Sequence, residues 1–188
     1  MTTARKPTRQ EILASAGKTV PDVLVPGLRV LFCGINPGLY SGATGHHFAR
    51  PGNRFWPALH AAGFTPRQFA PSQERELLAL GYGITNLVAR ATATADELSA
   101  AEIVAGGRRL EEKLRSYHPA YLAILGIGAY RTAFGRPSAA LGRQPAAPDG
   151  TIVWVLPNPS GLNAHYQLAD LARAFGELLV AVEAERST

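Results

Sequence analysis

Three short runs of apolar, strand-forming residues recur along the chain, and each ends near a glycine or a proline. They occupy residues 28–33, residues 120–125 and residues 152–156. Runs of this length that are apolar at almost every position are typical of strands buried on both faces, as in parallel sheets. Helical patterns lie between them. This alternation predicts an α/β fold with three layers, α/β/α, around a central, mostly parallel sheet.

Two longer helices have clear signals in the sequence. Ser99 and Glu102 form a capping box, and the apolar stripe that follows them stops at His118 and Pro119. A second stripe, with apolar residues three and four positions apart, runs over residues 168–182. We expect both helices to pack on the sheet.

The remaining local patterns are weaker. They predict a short helix over residues 55–62 that ends at Gly63, and a surface loop over residues 135–150, which contain three prolines and three glycines. Gly106 and Gly107 lie inside the first longer helix, where an interior glycine costs about 1 kcal/mol relative to alanine. We interpret the pair as a place of close backbone packing, with the close approach of a phosphate as the alternative.

Length and composition indicate one domain. A chain of 188 residues with 46% hydrophobic residues can bury a core without disulfides. The single cysteine, Cys33, excludes an internal disulfide and fits a reducing compartment, so we expect a cytoplasmic protein.

We assign residues 26–188 to the domain and interpret residues 1–25, which are basic and lack a clear apolar period, as a flexible arm. The longest apolar runs are far shorter than the ~20 residues of a membrane span, so we expect no membrane attachment.

The charge of the chain favours a polyanionic partner. The formal net charge is +5, and the isoelectric point is about 9.7. Both nucleic-acid-binding proteins and enzymes that act on small anionic substrates have such a balance, so charge leaves the two classes open.

Three loops are candidates for chemistry, because ligands of parallel sheets bind at the carboxyl ends of strands. The sequences GINPG at residues 34–38 and LPNPSGL at residues 156–162 each follow a predicted strand and are stiffened by proline. Alone, each also fits an ordinary turn. Residues 44–56 combine aromatic, cationic and flexible residues, which suits stacking on a base and pairing with phosphate.

Other kinds of site have little support. The glycines of residues 34–39 lack the spacing of a dinucleotide loop, and the chain contains no Gly-Lys-Ser/Thr sequence. The histidines at residues 46–47 have no partners at metal-motif spacing, so we predict no metal and no cofactor. Ser160, His165 and Asp170 are the residue types of a hydrolase triad, but no Gly-x-Ser-x-Gly sequence surrounds the serine.

Taken together, the motifs resemble the mismatch-specific uracil/thymine-DNA glycosylase family of the uracil-DNA glycosylase superfamily. They occur in the family's order: GINPG at 34–38, GHHF at 45–48, PGNRFW at 51–56, GITNLV at 83–88, AGGRR at 105–109 and NPSGL at 158–162. The similarity covers approximately residues 26–183. It implies the uracil-glycosylase fold, which agrees with the α/β/α prediction made from the pattern alone.

The resemblance implies two catalytic asparagines. Asn36 would hold the attacking water at the sugar carbon of a flipped nucleotide, and Asn158 would lie across the site near the sugar or the water. An asparagine cannot take up a proton as a carboxylate base does, so we expect a modest rate. The barrier would fall through an oxocarbenium-like transition state with a uracil anion as leaving group.

The resemblance also implies a set of residues around the base. Phe48 would stack on its face, backbone N–H groups near Ile35 and Phe48 would stabilise the anion, and Ser41 would face the pyrimidine 5-carbon. The substrate-binding residues implied are Ile35, Gly38, Ser41, Phe48 and Asn86.

In the loop after the last strand, Leu162 would act as a wedge that fills the gap left by the flipped base, and backbone groups beside it would face the unpaired guanine. The DNA-binding residues implied here are Ser160, Gly161, Leu162 and Asn163. Arg108 and Arg109 are candidates for contact with phosphate, with a solvated helix face as the alternative.

Three positions depart from patterns found in relatives. Ala164 stands where bacterial relatives often have arginine, which leaves the strength of the wedge open. Ala89 stands where some relatives have an acidic residue near the sugar. The small side chain of Ser41 leaves room for substituents on the pyrimidine ring.

The hypothesis is a monofunctional DNA glycosylase that hydrolyses the N-glycosidic bond of uracil mispaired with guanine and so initiates base excision repair. Thymine and etheno-cytosine are further candidate substrates. No lysine lies in these loops to form a Schiff base, so strand cleavage is not expected. The expected partner is double-stranded DNA with G:U or G:T mismatches, bound by a monomer. The alternative is a catalytically weak module that binds mismatched or abasic DNA.

Overall fold

The computed structural model describes residues 5–185, and a five-stranded sheet lies at its centre. In chain order the strands are β1 (Val30–Gly34), β2 (Tyr82–Asn86), β3 (Tyr121–Leu125), β4 (Gly142–Arg143) and β5 (Ile152–Leu156). Their order in space is β2-β1-β3-β5-β4. The pairs among β2, β1, β3 and β5 are parallel, and β4 pairs antiparallel with β5 at the edge. The prediction of a mostly parallel central sheet is confirmed.

Helices cover both faces of this sheet. The α-helices are α1 (Arg9–Leu13), α2 (Leu39–Thr44), α3 (Phe55–Ala61), α4 (Ala100–Tyr117), α5 (Ile127–Phe134) and α6 (Leu168–Ala184). Two 3₁₀ helices occupy Pro71–Leu80 and Ala95–Glu97. Helices α3 and α6 contact each other, as do α4 and α5. Within residues 5–185, no helix has the length and apolar character needed to cross a membrane.

Strand β1 shows why the fold has three layers. Its side chains alternate between faces, as in any strand, and both faces are buried. Phe32 lies in one core, where its ring centroid is 5.6 Å from that of Phe55 on α3 and 6.1 Å from that of Phe175 on α6. Leu31 and Cys33 belong to a second core with side chains of α4 and α5. The predicted α/β/α arrangement is therefore confirmed.

Most of the predicted elements are confirmed, with small differences at their ends. In the capping box of α4, Glu102 N donates to Ser99 Oγ at 3.2 Å, and Ser99 N donates to a Glu102 carboxylate oxygen at 2.9 Å. Helix α3 ends one residue earlier than predicted. The loop predicted over residues 135–150 needs a correction, because it contains β4, which pairs with the otherwise open edge of β5.

The segment interpreted as a flexible basic arm contacts the domain along much of its length. Ser15 is fully buried, and Val23 is 1% exposed. Val23 forms an antiparallel bridge with Ile84, in which each backbone N–H donates to the other residue's carbonyl at 2.8–2.9 Å. The apolar residues of this segment are few and do not follow a helix or strand period, so the sequence does not predict this attachment. Residues 1–4 lie outside the described residues, and the domain boundary at residue 26 stays a prediction.

The interpretation of the glycine pair in α4 as close packing agrees with its surroundings. A Cβ on Gly106 would lie 2.4 Å from the carbonyl oxygen of Leu87, and a Cβ on Gly107 would lie 2.9 Å from that of Ala133. Both neighbours are backbone atoms, which cannot turn away as a flexible side chain can. Helix α4 therefore approaches Leu87, in the loop after β2, and helix α5 more closely than an alanine would allow.

We expect Gly106→Ala to lower the free energy of unfolding by about 1–3 kcal/mol, because the clash with Leu87 outweighs the helix propensity of alanine. Gly176→Ala in α6 is the matched control, since a Cβ there would meet nothing within 4 Å. That control should stabilise the protein by about 0.5–1 kcal/mol. Urea unfolding of both variants measures the two effects, and a stabilising Gly106→Ala would contradict the packing argument.

Candidate active site

The carboxyl ends of the parallel strands open into a cleft of about 380 Å³. Most residues predicted as catalytic, substrate-binding or DNA-binding line it: Ile35, Asn36, Gly38, Ser41, Phe48, Asn86, Asn158, Ser160, Leu162 and Asn163. Gly161 belongs to the same loop without lining the cleft. Arg108 and Arg109 lie elsewhere, exposed on α4. The fold thus brings together loops that are far apart in sequence.

The side-chain amide of Asn36 is held through its nitrogen. Asn36 Nδ2 donates to Thr92 Oγ1 at 2.7 Å and to the carbonyl oxygens of Arg90 and Pro37 at 3.0 and 3.1 Å. Thr92 Oγ1 donates its own proton to the carbonyl of Thr94 at 2.7 Å, so it acts as an acceptor toward Asn36. In the described part of the chain, Asn36 Oδ1 has no hydrogen-bond donor. This oxygen is free to accept a hydrogen bond from a water or a ligand.

The loop that supports Asn36 is itself fixed from two sides. The Arg90 side chain donates to both carboxylate oxygens of Glu102 at the start of α4, at 2.6 and 3.1 Å, and this hydrogen bond is the main reason why the pKa of Glu102 is lowered to about 2. On the other side, Gly17 N donates to the carbonyl of Ala91 at 2.9 Å, and Ala91 N donates to that of Lys18 at 2.8 Å. The acceptors of the Asn36 amide are therefore well positioned.

A second asparagine at the cleft is oriented by a buried histidine. His47 Nε2 lies 3.0 Å from the carbonyl oxygen of Pro21, which can only accept, so the neutral ring carries its proton on Nε2. His47 Nδ1 is then an acceptor, and it lies 3.3 Å from Asn86 Nδ2. Asn86 Oδ1 points toward the end of β1, 2.5 Å from where a Cβ on Gly34 would lie. Asn86 thus offers an acceptor at the cleft.

Burial dominates the titration of His47. The side chain is 2% exposed, and its desolvation lowers its pKa, against the opposing effects of Glu74, the Pro21 carbonyl and Asp22. Glu74 also accepts a hydrogen bond from His47 N at 2.8 Å and lies 3.1 Å from His46 Nδ1. The neutral form of His47 is therefore the stable one in the folded protein at neutral pH.

Phe48 forms one wall of the cleft in a rare backbone conformation. Its φ is +53°, a left-handed value that a bulky residue seldom adopts. The ring stacks on Phe55 with centroids 4.1 Å apart, which connects it to the core. Among the described residues, the Phe48 N–H has no hydrogen-bond acceptor. Ser41 is buried beside this turn, and its Oγ accepts from Ala49 N at 3.2 Å.

The loop after β5 is stiffened by its own polar groups. Asn158 Oδ1 accepts from Ser160 N at 2.9 Å, and Asn163 Nδ2 donates to the carbonyl of Asn158 at 3.0 Å. Leu162 N donates to Ser160 Oγ at 3.3 Å, while the Leu162 side chain is 66% exposed. A large apolar side chain is therefore presented to solvent from a well-bonded loop at the edge of the cleft.

Some supports of the site were not predicted from the sequence. Thr92 and the Arg90 carbonyl lie beyond the motif at residues 83–88, in the loop that follows β2. Strand β2 was not predicted because it contains the polar residues Thr85 and Asn86. A search of the whole segment between the motif and the next predicted helix, which begins after Ser99, would have included this loop. Asp96, an exposed carboxylate that also lines the cleft, lies in a polar stretch with no motif.

Neither a hydrolase triad nor a metal site is assembled in the described residues. Within residues 5–185, no hydrogen bond joins Ser160, His165 and Asp170, and Asp170 instead accepts from Gln167 N and pairs with Arg173. No group of three or more His, Cys, Asp or Glu side chains in the described residues is placed to hold a metal ion.

The family model for the Uracil DNA glycosylase superfamily matches residues 21–179. The chain therefore belongs to this superfamily, whose members are hydrolytic glycosylases that act on DNA. The match and the sheet together confirm the superfamily and the fold that the sequence motifs implied.

We expect the free energy of unfolding to fall as the pH drops below about 6.5, the ordinary pKa of histidine. Because the pKa of His47 is lowered in the folded state, the unfolded chain binds this proton more readily, and stability is lost by up to about 1.4 kcal/mol per pH unit. The loss ends below the folded-state pKa. Urea unfolding between pH 7.5 and 5 measures it.

The variant His47→Gln should remove this part of the pH dependence, because the side chain whose burial causes it is gone. His165→Gln, which changes an exposed histidine far along the chain from His47, is the control and should keep the wild-type slope. Equal slopes for wild type and His47→Gln would contradict the assignment.

Proposed function

We propose that the protein is a monofunctional glycosylase that releases uracil mispaired with guanine from double-stranded DNA and so initiates base excision repair. The observation that carries this proposal is the Asn36 amide, fixed through its nitrogen at the floor of the cleft with its oxygen free. We also propose that it acts as a cytoplasmic monomer without a cofactor.

Asn36 Oδ1 is suited to hold a water by accepting a hydrogen bond from one of its O–H groups. A lone pair of that water is then left to attack the sugar carbon. Since the amide does not titrate, the reaction depends on positioning and on electrostatic stabilisation. The glycosidic bond breaks with its electron pair going to the base, and the unoccupied N–H of Phe48 is a donor for the resulting anion. The water then bonds to the sugar carbon, and the proton that it loses goes to the departing uracil anion directly or through solvent. Asn158 lines the same cleft, and since its Oδ1 accepts from Ser160 N, its Nδ2 is the end left to donate to a ligand.

The acceptor that Asn86 offers supports recognition of a base with an N–H group on its pairing edge. Uracil and thymine carry such a group at N3, whereas cytosine carries a lone pair there. The His47 proton on Nε2 keeps Asn86 in this orientation. We therefore assign Ile35, Gly38, Ser41, Phe48 and Asn86 to the base site.

Selection of mispaired uracil would follow from the energy needed to open the pair. A G:U pair costs less to open than A:U, and the exposed Leu162 is placed to fill the space left by the base. Gly161 and Asn163 would then face the guanine. The buried Ser41 leaves the ring 5-carbon a small neighbour, so thymine and etheno-cytosine are secondary substrates in this proposal.

The chemistry would stop at an abasic site. No lysine lines the cleft in the described part of the chain, so a Schiff base with the sugar has no source there. The net charge of +5 supports attraction to duplex DNA, with Arg108 and Arg109 as candidate phosphate contacts.

The exposed Leu162 on a stiff loop would also serve a module that binds mismatched or abasic DNA without catalysis. This second function predicts duplex binding that does not depend on Asn36 and no release of base.

We expect the purified protein to release uracil from G:U duplexes faster than from A:U or G:T duplexes, as measured by alkaline cleavage at the abasic site. Asn36→Ala should lower the single-turnover rate by roughly 100-fold, because the water loses its position, with little change in duplex affinity. Ser116→Ala, an exposed change on α4, is the control. Binding without release from any duplex would favour the module.

A further inference from the structure

One arginine holds the loop that carries Leu162. Arg54 Nη2 donates to the carbonyl oxygens of Ser160 at 2.5 Å and Asn163 at 2.8 Å, and Nη1 donates to the carbonyl of Tyr166. The Ser160 carbonyl also accepts from Asn163 N at 3.0 Å within the loop. The other two carbonyls lie outside any helix or strand, so Arg54 supplies donors that the loop itself does not. Two of the three carbonyls lie on either side of Leu162 in the sequence, and the contact therefore brackets the exposed side chain.

The backbone also connects Arg54 to this loop. Arg54 N donates to the carbonyl of Pro159 at 3.0 Å. A Cβ on Gly161 would lie 2.6 Å from the carbonyl oxygen of Gly52, so the loop rests directly on the turn before α3. The position of Leu162 relative to the domain is thus set by residues of the α3 turn and not by the loop alone.

Arginine is specifically suited to this role. Its guanidinium spreads several N–H groups in a plane and reaches three carbonyls at once, whereas lysine has one compact ammonium group. Arg54 is partly buried, and the ion pairs of residues 5–185 do not include it. Its two Nη nitrogens donate to the loop and not to a carboxylate, whereas its buried Nε has no partner among the described residues. The use of both Nη groups on the loop indicates a positioning role beyond charge balance.

We propose that Arg54 is a positioning residue that fixes the position of Leu162 relative to the cleft. It thereby controls the opening of the base pair, separately from cleavage of the glycosidic bond. This inference rests on the proposed function. Its consequence is a dependence on substrate. Arg54 should matter when a paired base must be displaced and its gap filled, and it should matter little when the uracil has no pairing partner.

The test compares Arg54→Lys with wild type in single-turnover base release from two duplexes. One contains G:U, and the other places uracil opposite a tetrahydrofuran abasic analogue. We expect a loss of roughly 10- to 100-fold on G:U and of less than about twofold on the second duplex. Arg67→Lys, an exposed arginine paired with Glu76, is the matched control and should match wild type on both.

Two further measurements separate this role from a general loss of structure. The fluorescence of 2-aminopurine beside the uracil reports opening directly, and its rise should be slower in Arg54→Lys. In a Leu162→Ala background, Arg54→Lys should add no further loss, because both changes remove the same step. A variant that merely loses folded protein would lose activity equally in both backgrounds and on both duplexes.

Equal losses on the two duplexes, or no loss on either, would overturn the inference. If Arg54→Lys does not fold, Arg54→Gln replaces it, since its shorter side chain keeps a donor but cannot reach three carbonyls at once, and the same selective loss is expected. If wild type releases no uracil at all, the proposed function fails, and the 2-aminopurine signal still decides the role of Arg54.

Discussion

A side-chain amide has a donor at one end and an acceptor at the other, so the chemistry of this cleft depends on which end faces it. Asn36 and Asn86 are both held through their nitrogens, one by Thr92 and a backbone carbonyl, the other by His47. Neither partner is charged when His47 is neutral. The polarity of the cleft is therefore set by fixed hydrogen-bond directions, which cost no reorganisation when a ligand arrives.

The sequence predicts the sheet and the position of the site but not the contacts that orient its side chains. Strands β1, β3 and β5 are apolar throughout and were predicted, whereas β2 contains Thr85, which is buried because it donates to Asp22 and accepts from Lys113. Such pairing leaves no local pattern. The loops after β1 and β5 were predicted as candidate sites because they follow predicted strands. The roles of their residues, and the inclusion of Asn86 at the end of β2, came from the family resemblance.

The long-range contacts that support the site leave no signal in the sequence. The carbonyl of Pro21 fixes the tautomer of His47, and the acceptors around Arg54 lie more than a hundred residues away in the chain. A backbone carbonyl has no residue type to identify it, so no motif can reveal it as a partner. The aromatic, glycine and proline residues of the loops have recognisable types, and they therefore mark the place of the site more clearly than its mechanism.

The segment before the family match contributes to the same loops from behind. Ser15 Oγ donates a hydrogen bond to the carbonyl oxygen of Leu39, at the start of α2, at 2.5 Å. The backbone groups of Gly17 and Lys18 form hydrogen bonds with Ala91, next to the acceptors of the Asn36 amide. The family match begins at residue 21, so these contacts are made by chain that lies outside it. If Asn36 is catalytic as proposed, its contribution rests on its orientation, and such support matters more than it would for a charged group. A misdirected amide would offer a donor where an acceptor is needed. The extra segment is thus a structural complement to chemistry that relies on position instead of charge.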